Sequence, residues 1–313
     1  MIKKIFKNVY ALTEGNFPFE KCVEADNILK ICRCLNFIND SWFENTLFVF
    51  SWNDDEIFPI EDFAQFNQRV LFRIGESHSD TLTNHICNSF TAVFQNHMNC
   101  DCPDRNHYAL PLITSSKVPE LEIIPLHRRR YNVFFSGNFN KNRVPLYLSL
   151  KDNVSLLETI WCGLNNMPGW SKLNKIFQYN RIVDLSNHFP ESLINFNFKF
   201  LTGGFSFEEY AEITQNSKIV LSPKGFQYTE CFRTYEAMRQ GCIVISEPLP
   251  DVPFYKDIPI YQISDWKEVN MVVNTLLADD ARMNRLSEES QQFYIDHLSN
   301  DAIAKYIYEK VFS

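Results

Sequence analysis

The chain has 313 residues, 45% of them hydrophobic and 22% charged, enough for two domains with their own cores and too apolar for a disordered chain. A net charge of −8 excludes the basic footprint by which proteins hold nucleic acid, so no nucleic-acid partner is expected. An anionic small molecule stays open to it wherever arginines and lysines cluster locally against that field. The nine cysteines are odd in number and contain no C-x-x-C pair. Cys32 and Cys34, like Cys100 and Cys102, stand too close for a paired zinc knuckle, so the reading is free thiols and no metal. Met1-Ile-Lys-Lys-Ile-Phe-Lys7 is basic and apolar, yet polar residues follow it, and no run reaches the ~18 apolar residues of a membrane span. These features predict a cytoplasmic chain.

In chain order, Leu47–Ser51, Val70–Ile74 and Thr91–Phe94 read as buried strands, ending in the polar turns 52–56 and 75–80 and in Gln95-Asn-His97. Helical spacing fills 60–68 and 82–90. Residues 112–130 read as a connector with prolines at 119 and 125, closed by His127-Arg-Arg-Arg130, a solvated hinge. A second series begins with the strand Tyr131–Phe135, which should break at Ser136-Gly137-Asn138 before a helix from about Arg143. Strands follow at Arg181–Leu185, Phe196–Leu201, Lys218–Ser222 and Cys242–Ser246. Helices are predicted over Phe207–Asn216, opened by Ser206 and Glu208, and over Cys231–Gln240, stopped by Gly241. The last 50 or so residues are helical. Alternating strands and helices predict parallel, doubly wound sheets. The expected domains are 1–125, with a C-terminal helix 290–313 packing back on it, and 130–289.

Residues 218–254 carry the densest chemistry. In an open parallel sheet, ligands sit where strands end and helices begin, and helix N-termini there offer free N–H groups to phosphates. Lys224 lies in the turn after one strand. Arg233 lies in the first turn of the next helix, and Glu236 one turn on, where a carboxylate could accept hydrogen bonds from a ribose diol. Gly137 and Gly225 would let backbone approach a ligand closely in a chain with only nine glycines. Tyr228 is an aromatic placed to stack a base or a sugar. No G-x-G-x-x-G follows any predicted strand, which disfavours a Rossmann oxidoreductase.

Ser222-Pro-Lys-Gly225, Cys231-Phe-Arg-Thr-Tyr-Glu-Ala237, Gly241-Cys-Ile-Val-Ile245 and Pro253-Phe254 together resemble the C-terminal signature of exostosin-like glycosyltransferases. Cys231 replaces the usual Ser and Val244 the usual Pro. Val133-Phe-Phe-Ser-Gly-Asn138 with Arg143 extends the resemblance. It implies a GT-B fold, two Rossmann-like domains facing across a cleft, with the nucleotide-sugar donor on the C-terminal half and the acceptor on the N-terminal half. It also implies inversion without an essential metal or other cofactor. Arg143, Lys224, Arg233 and a helix N-terminus would then neutralise the leaving diphosphate, with Ser136, Gly137, Asn138, Gly225, Tyr228 and Glu236 completing the donor site.

Inversion needs a base from the N-terminal half. Glu76, after the strand Val70–Ile74, is the first candidate, followed by Asp54 (or its neighbour Asp55) and His78. Asn96 and His97, at another strand end, are read as acceptor hydrogen-bonding residues. The resulting expectation is transfer from a nucleotide-sugar, a UDP-sugar favoured, to a glycan or lipid-linked glycan in microbial surface polysaccharide or lipopolysaccharide synthesis. A lipid-linked acceptor would bring the enzyme to the inner face of the plasma membrane as a peripheral protein. The alternatives are a CMP- or GDP-sugar donor, or a degenerate domain of this fold that binds a glycan or partner without turnover.

Overall fold

The computed structural model describes residues 2–12, 19–52, 65–75, 89–99, 101–102, 106–151, 182–198 and 204–312. The chain divides into two compact units. The first comprises Met1–Lys117, Pro250–Asp257 and Tyr294–Ser313, and the second Val118–Leu249 and Ile258–Phe293.

The first unit is built on a six-stranded sheet whose spatial order follows the chain: β1 (Ile2–Phe6), β2 (Val9–Leu12), β3 (Thr46–Ser51), β4 (Gln68–Arg73), β5 (Ala92–Gln95) and β6 (His107–Ala109). The β1–β2 pair is antiparallel and every other pair parallel. All six residues of β3 are buried, because both faces of a parallel strand are covered. Phe50, Phe72 and Phe94 lie in register on β3, β4 and β5 and stack at 4.5 and 5.5 Å between ring centroids. The same face carries helices α1 (Ala25–Ile38) and α8 (Asn300–Phe312), which share this core. Tyr306 of α8 donates to the Ala109 carbonyl at 3.0 Å. The short helix α2 (Asp40–Asn45) is opened by Asn39, whose side chain accepts from the Trp42 N–H at 2.9 Å.

The second unit holds strands β7 (Tyr131–Asn138), β8 (Ile182–Asp184), β9 (Leu193–Asn197), β10 (Ser217–Ser222), β11 (Ile243–Ser246) and β12 (Tyr261–Gln262), in the order β12-β11-β10-β7-β9-β8. Only the β8–β9 pair is antiparallel. After β7 the chain lays β8 at the edge and β9 between β8 and β7, then crosses to build the other side from β10 outward. The strand order therefore reverses between β7 and β10, the place where open parallel sheets bind their ligands. Helices α3 (Val144–Ser149), α4 (Phe207–Gln215), α5 (Phe232–Arg239), α6 (Val269–Leu277) and α7 (Asp280–Phe293) complete this unit among the described residues. A capping box opens α4: the Ser206 hydroxyl accepts from Glu209 N–H, and the Glu209 carboxylate from Ser206 N–H. Gly241, at φ +63°, ends α5 in the left-handed conformation that favours glycine.

The α/β class read from the sequence holds in both units. Three local expectations change. The strand expected to break at Ser136 runs on to Asn138, because Ser136, Gly137 and Asn138 pair in register with Asn195, Phe196 and Asn197. The strand expected over 196–201 begins earlier, as Leu193–Asn197, set by that pairing, and 199–201 lie outside the described residues. Of the helix expected over 60–68, Gln65–Asn67 are non-helical and Gln68 begins β4, while 60–64 and most of 82–90 lie outside the described residues.

The arginine run is not a uniformly solvated hinge. Arg128 and Arg130 are exposed, but Arg129 is buried. Its guanidinium donates to the carbonyls of Ile124 (2.9 Å), Ser217 (2.8 Å) and Gln240 (2.6 Å) and, at 3.3 Å, to Gly241. One fork thus ties the connector to the start of β10 and to the C-terminal end of α5, whose partial negative charge it complements. Arg129→Met should lower the stability of the second unit by about 3 kcal/mol, since each buried acceptor left unmade costs roughly 1–3 kcal/mol. Urea unfolding followed on this unit's transition checks it, and Arg129→Lys should recover only part of the loss because an ammonium lacks the planar fork.

Candidate functional site

Two loops meet at the point of strand reversal. After β7 the chain turns through a single 3-10 turn, Lys141–Arg143, into α3, with the Asn140 side chain accepting from Asn142 N–H at 2.9 Å. After β10 it runs through Pro223-Lys-Gly225 to α5, which is fixed to β10 by the Ser222–Thr234 hydroxyl pair at 2.8 Å. The Asn142 amide bridges the two loops, donating to the carbonyls of Gly225 (2.7 Å) and Phe226 (2.9 Å).

Arg143 and Arg233 approach the end of β7 from these separate segments, and both are buried. Arg143 donates to the Asn138 carbonyl at 2.6 Å and Arg233 to the Ser136 carbonyl at 2.7 Å. Both guanidiniums lie against the Phe135 ring, at 5.8 and 5.0 Å from its centroid. Between them is Gly137. A Cβ at that position would stand 2.7 Å from one Arg143 nitrogen and 2.8 Å from one of Arg233, so the two cations occupy the space a side chain would need.

Holding two buried like charges side by side is costly unless an anion joins them. Among the described residues no carboxylate lies within ion-pair distance of Arg233, and its Nε is buried without a hydrogen-bond partner. The Lys224 ammonium likewise has no partner among them; its backbone N–H donates to Glu247, at 2.9 Å. Glu247 is itself held by the Trp266 indole N–H at 2.5 Å. Cys231 stands at the N-cap of α5 and makes no side-chain capping bond, so the first N–H groups of that helix have no side-chain acceptor. Two buried guanidiniums beside an α5 N-terminus without a side-chain cap are groups that can hold an oxyanion, and the loop that carries Lys224 adjoins them through Asn142.

The structure thus brings Ser136, Gly137, Asn138, Arg143 and Arg233 together, with Gly225 tied to them through Asn142 and Lys224 next to it in the same loop. Tyr228 is half-buried in the same loop, its carbonyl accepting from Gly225 N–H at 3.0 Å. Glu236 is buried one turn beyond Arg233 and lines a narrow crevice with Tyr210 and Thr214 of α4. Burial, then the Glu236 charge, pushes the Tyr210 hydroxyl well above its ordinary value. Asn142 and Glu247, which set the two loops, escaped sequence reading. Their only signal was position, one beside Arg143 and the other directly after a strand.

In the first unit Asn96 is fully buried, and its amide donates to the carbonyls of Leu110 (2.9 Å) and Pro111 (2.8 Å), anchoring backbone instead of reaching outward. His97 is buried at φ +59°. Glu76, Asp54 and His78 lie outside the described residues. Two charged residues at this unit's helix and strand ends were not anticipated. Arg73, at the end of β4, is buried and hydrogen-bonds Gln95, its register partner on β5. Glu24, at the N-cap of α1, is buried, and burial pushes its carboxyl above the usual range against the opposing pull of its backbone N–H, Trp52 and Lys117.

No family model matches the chain, and no curated protein is similar to it. Among solved structures it is similar to the DNA-modifying enzyme β-glucosyltransferase, at 8% identity and a TM-score of 0.47 over 97% of this chain and 99% of that one. It is also similar to a glycosyltransferase from Rickettsia africae (10% identity, TM-score 0.47, 96% and 84% covered). A third is sucrose-phosphate synthase from Thermosynechococcus elongatus (12%, 0.46, 95% and 80%). The chain spans 58% of the length of TarM and 61% of that of a GtfA/B complex chain, two further matches. Similarity at this level adds nothing to the residues of the site.

Gly137→Ala separates folding from binding. The added Cβ meets only the far ends of two flexible side chains, so the melting temperature should stay within a few degrees of wild type. The displaced guanidiniums should weaken inorganic pyrophosphate binding at least tenfold by calorimetric titration, the loss of about one charged hydrogen bond.

Proposed function

We propose that the chain is a glycosyltransferase of GT-B type whose second unit holds the diphosphate of a nucleotide-sugar. The observation that carries the reading is the convergence of Arg143 and Arg233 on Gly137 at the point of strand reversal. A nucleoside diphosphate is a poor leaving group until its charge is neutralised. Cations fixed before the reaction, together with the N–H groups of α5, stabilise that charge as it develops. Two guanidiniums converging at one point, with Lys224 in the adjoining loop, support transfer without a divalent metal. The exostosin-like pattern supports inversion, with a glycan hydroxyl as acceptor and a UDP-sugar as the favoured donor, and a composition rich in Asn, Ile, Phe and Lys supports a place in microbial surface-polysaccharide or lipopolysaccharide synthesis.

In that reaction the acceptor oxygen attacks the anomeric carbon and the bond from that carbon to the diphosphate oxygen breaks. A base of the first unit takes the hydroxyl proton, and the diphosphate leaves against Arg143, Arg233 and Lys224. Glu76 is the base favoured by its place after β4. Glu24 is a second carboxylate of that unit, buried at the N-cap of α1, whose pKa burial raises above the usual range.

Thermal unfolding with UDP, GDP, CMP and ADP, each with and without Mg²⁺, tests the donor site. One nucleotide should stabilise the chain irrespective of metal, by about 2.7 kcal/mol at a hundred times its dissociation constant. Arg233→Ala should abolish that shift, since a lost charged hydrogen bond is worth about 1.5–3 kcal/mol. Retained affinity in this variant would remove the phosphate assignment.

The base is identified by the pH dependence of kcat/KM, which rises as the base deprotonates. With Glu24 as base the ascending limb should lie above the usual carboxylate range, because its folded-state pKa is raised, and Glu24→Gln should abolish transfer while sparing nucleotide binding. Loss of transfer in Glu76→Gln, with the limb kept in Glu24→Gln, would assign Glu76 instead.

A further inference from the structure

The turn between β7 and α3 holds a hydrogen-bond donor that the contacts described above leave unused. Asn140 stands at the head of the 3-10 turn Lys141–Arg143, in extended backbone (φ −147°, ψ 173°), and is only 7% exposed. Its carbonyl accepts from Arg143 N–H at 3.0 Å, and its Oδ1 accepts from Asn142 N–H at 2.9 Å. The second bond decides which way round the amide lies. Oxygen must face the N–H, so Nδ2, with two hydrogens to donate, is turned to the other side. Nδ2 is buried and has no acceptor among the described residues.

The turn around it is held on every side. Phe139, the residue before, stacks on Phe198 at 4.2 Å between ring centroids and meets Tyr147 edge-on. Arg143 grips the turn twice, with its backbone N–H on the Asn140 carbonyl and its guanidinium on the Asn138 carbonyl at 2.6 Å. Asn142 fastens it to the carbonyls of Gly225 and Phe226. Asn140 therefore lies inside the stretch that Arg143 closes, and it cannot swing out to solvent without breaking its own cap.

A buried amide with its hydrogens unmade is rare, because it has given up water and gained no partner. The first turn of α5 repeats the pattern, since Arg233 Nε is also buried without an acceptor. What these two segments leave unmet is a set of N–H groups. A sugar hydroxyl accepting here would bring a proton of its own to place, whereas phosphate oxygens only accept.

We propose that Asn140 is a phosphate-binding residue, its amide donating to an oxygen of the diphosphate whose charge Arg143 and Arg233 meet. This role rests on the donor-site reading and adds a neutral, directional contact to it. The guanidiniums answer the charge of the group, and the amide fixes how the group is turned.

The full-length chain is titrated with inorganic pyrophosphate by calorimetry, and its melting temperature is followed in parallel. Asn140→Ser keeps an oxygen for Asn142 N–H and removes the amide. It should melt as the wild type does while its pyrophosphate affinity falls about tenfold or more, the loss of one hydrogen bond to a charged group. Asn140→Asp keeps the same cap and sets a carboxylate where the amide was, so it should also melt unchanged and lose roughly a hundredfold in affinity. Wild-type affinity in Asn140→Ser, with binding still lost in Arg233→Ala, would overturn the Asn140 assignment and leave the donor reading standing. A melting temperature that falls together with affinity in both variants would make Asn140 a turn cap alone and overturn it as well. No pyrophosphate binding by the wild type would remove both readings.

Discussion

Everything at the site depends on the space above Gly137. A side chain there would collide with two guanidiniums, and without the guanidiniums the end of β7 would be an ordinary parallel strand terminus. The strand order makes the convergence feasible. Because the sheet reverses between β7 and β10, the segments leaving these neighbours open beside one another, so Arg143 and Arg233 reach one point from either side. Phe135, buried beneath both, is the apolar floor that keeps the planar cations flat against the strand. The Asn142 bridge and the Glu247 contact then set the height of the Lys224 loop over the same point.

The first unit solves a different problem with the same sheet type. Its strands run in chain order with no reversal, and its largest core is a stacked row of phenylalanines beneath α1 and α8. Since α8 comes from the end of the chain, this core closes only when the last helix has returned to it. Polar residues gather at the ends of its strands: Ser51, Arg73 and Gln95 lie in register on β3, β4 and β5. A row of buried polar side chains at a sheet edge contributes less to stability than apolar packing would, and such departures mark sites of function more often than chance placements.

How far the sequence could be read follows from what each feature depends on. Strand β10, the Ser206 cap and the Gly241 stop were legible because each rests on local chemistry: an apolar run, a hydroxyl before a helix, a residue tolerant of positive φ. Lys224 and Arg233 were singled out by their places after a strand and in the next helix, and Arg143 through the family resemblance. The continuation of β7 to Asn138 was not, since only pairing with β9 keeps Ser136-Gly137-Asn138 extended against the turn preference of those residues. Helix α1 was missed for a similar reason: its buried face mixes Asn27 and Cys32 with Ile28, Ile31 and Leu35, which blurs the apolar period. Arg129 looked like its exposed neighbours because burial of one member of a charge run is a tertiary fact, set by carbonyls that lie some 90 to 110 residues away.

The four arginines buried among the described residues of the second unit show why the site asks for a ligand. Arg129 reaches the C-terminal end of α5 and donates to its free carbonyls, and Arg239, in the last turn of that helix, donates to the carbonyls of Val118 and Pro119. A cation at a helix C-terminus is favoured by the helix dipole, so this end of α5 is electrostatically complete. The other end is the reverse. Arg233 lies in the first turn, Arg143 beside it, and no side chain caps the helix. Cations at a helix N-terminus oppose the dipole, and burial removes the water that would screen them. One helix therefore carries arginine at both ends, matched at one and unmatched at the other. The unmatched end stands where the sheet reverses, and an anion there would satisfy the dipole and the Arg233 guanidinium together.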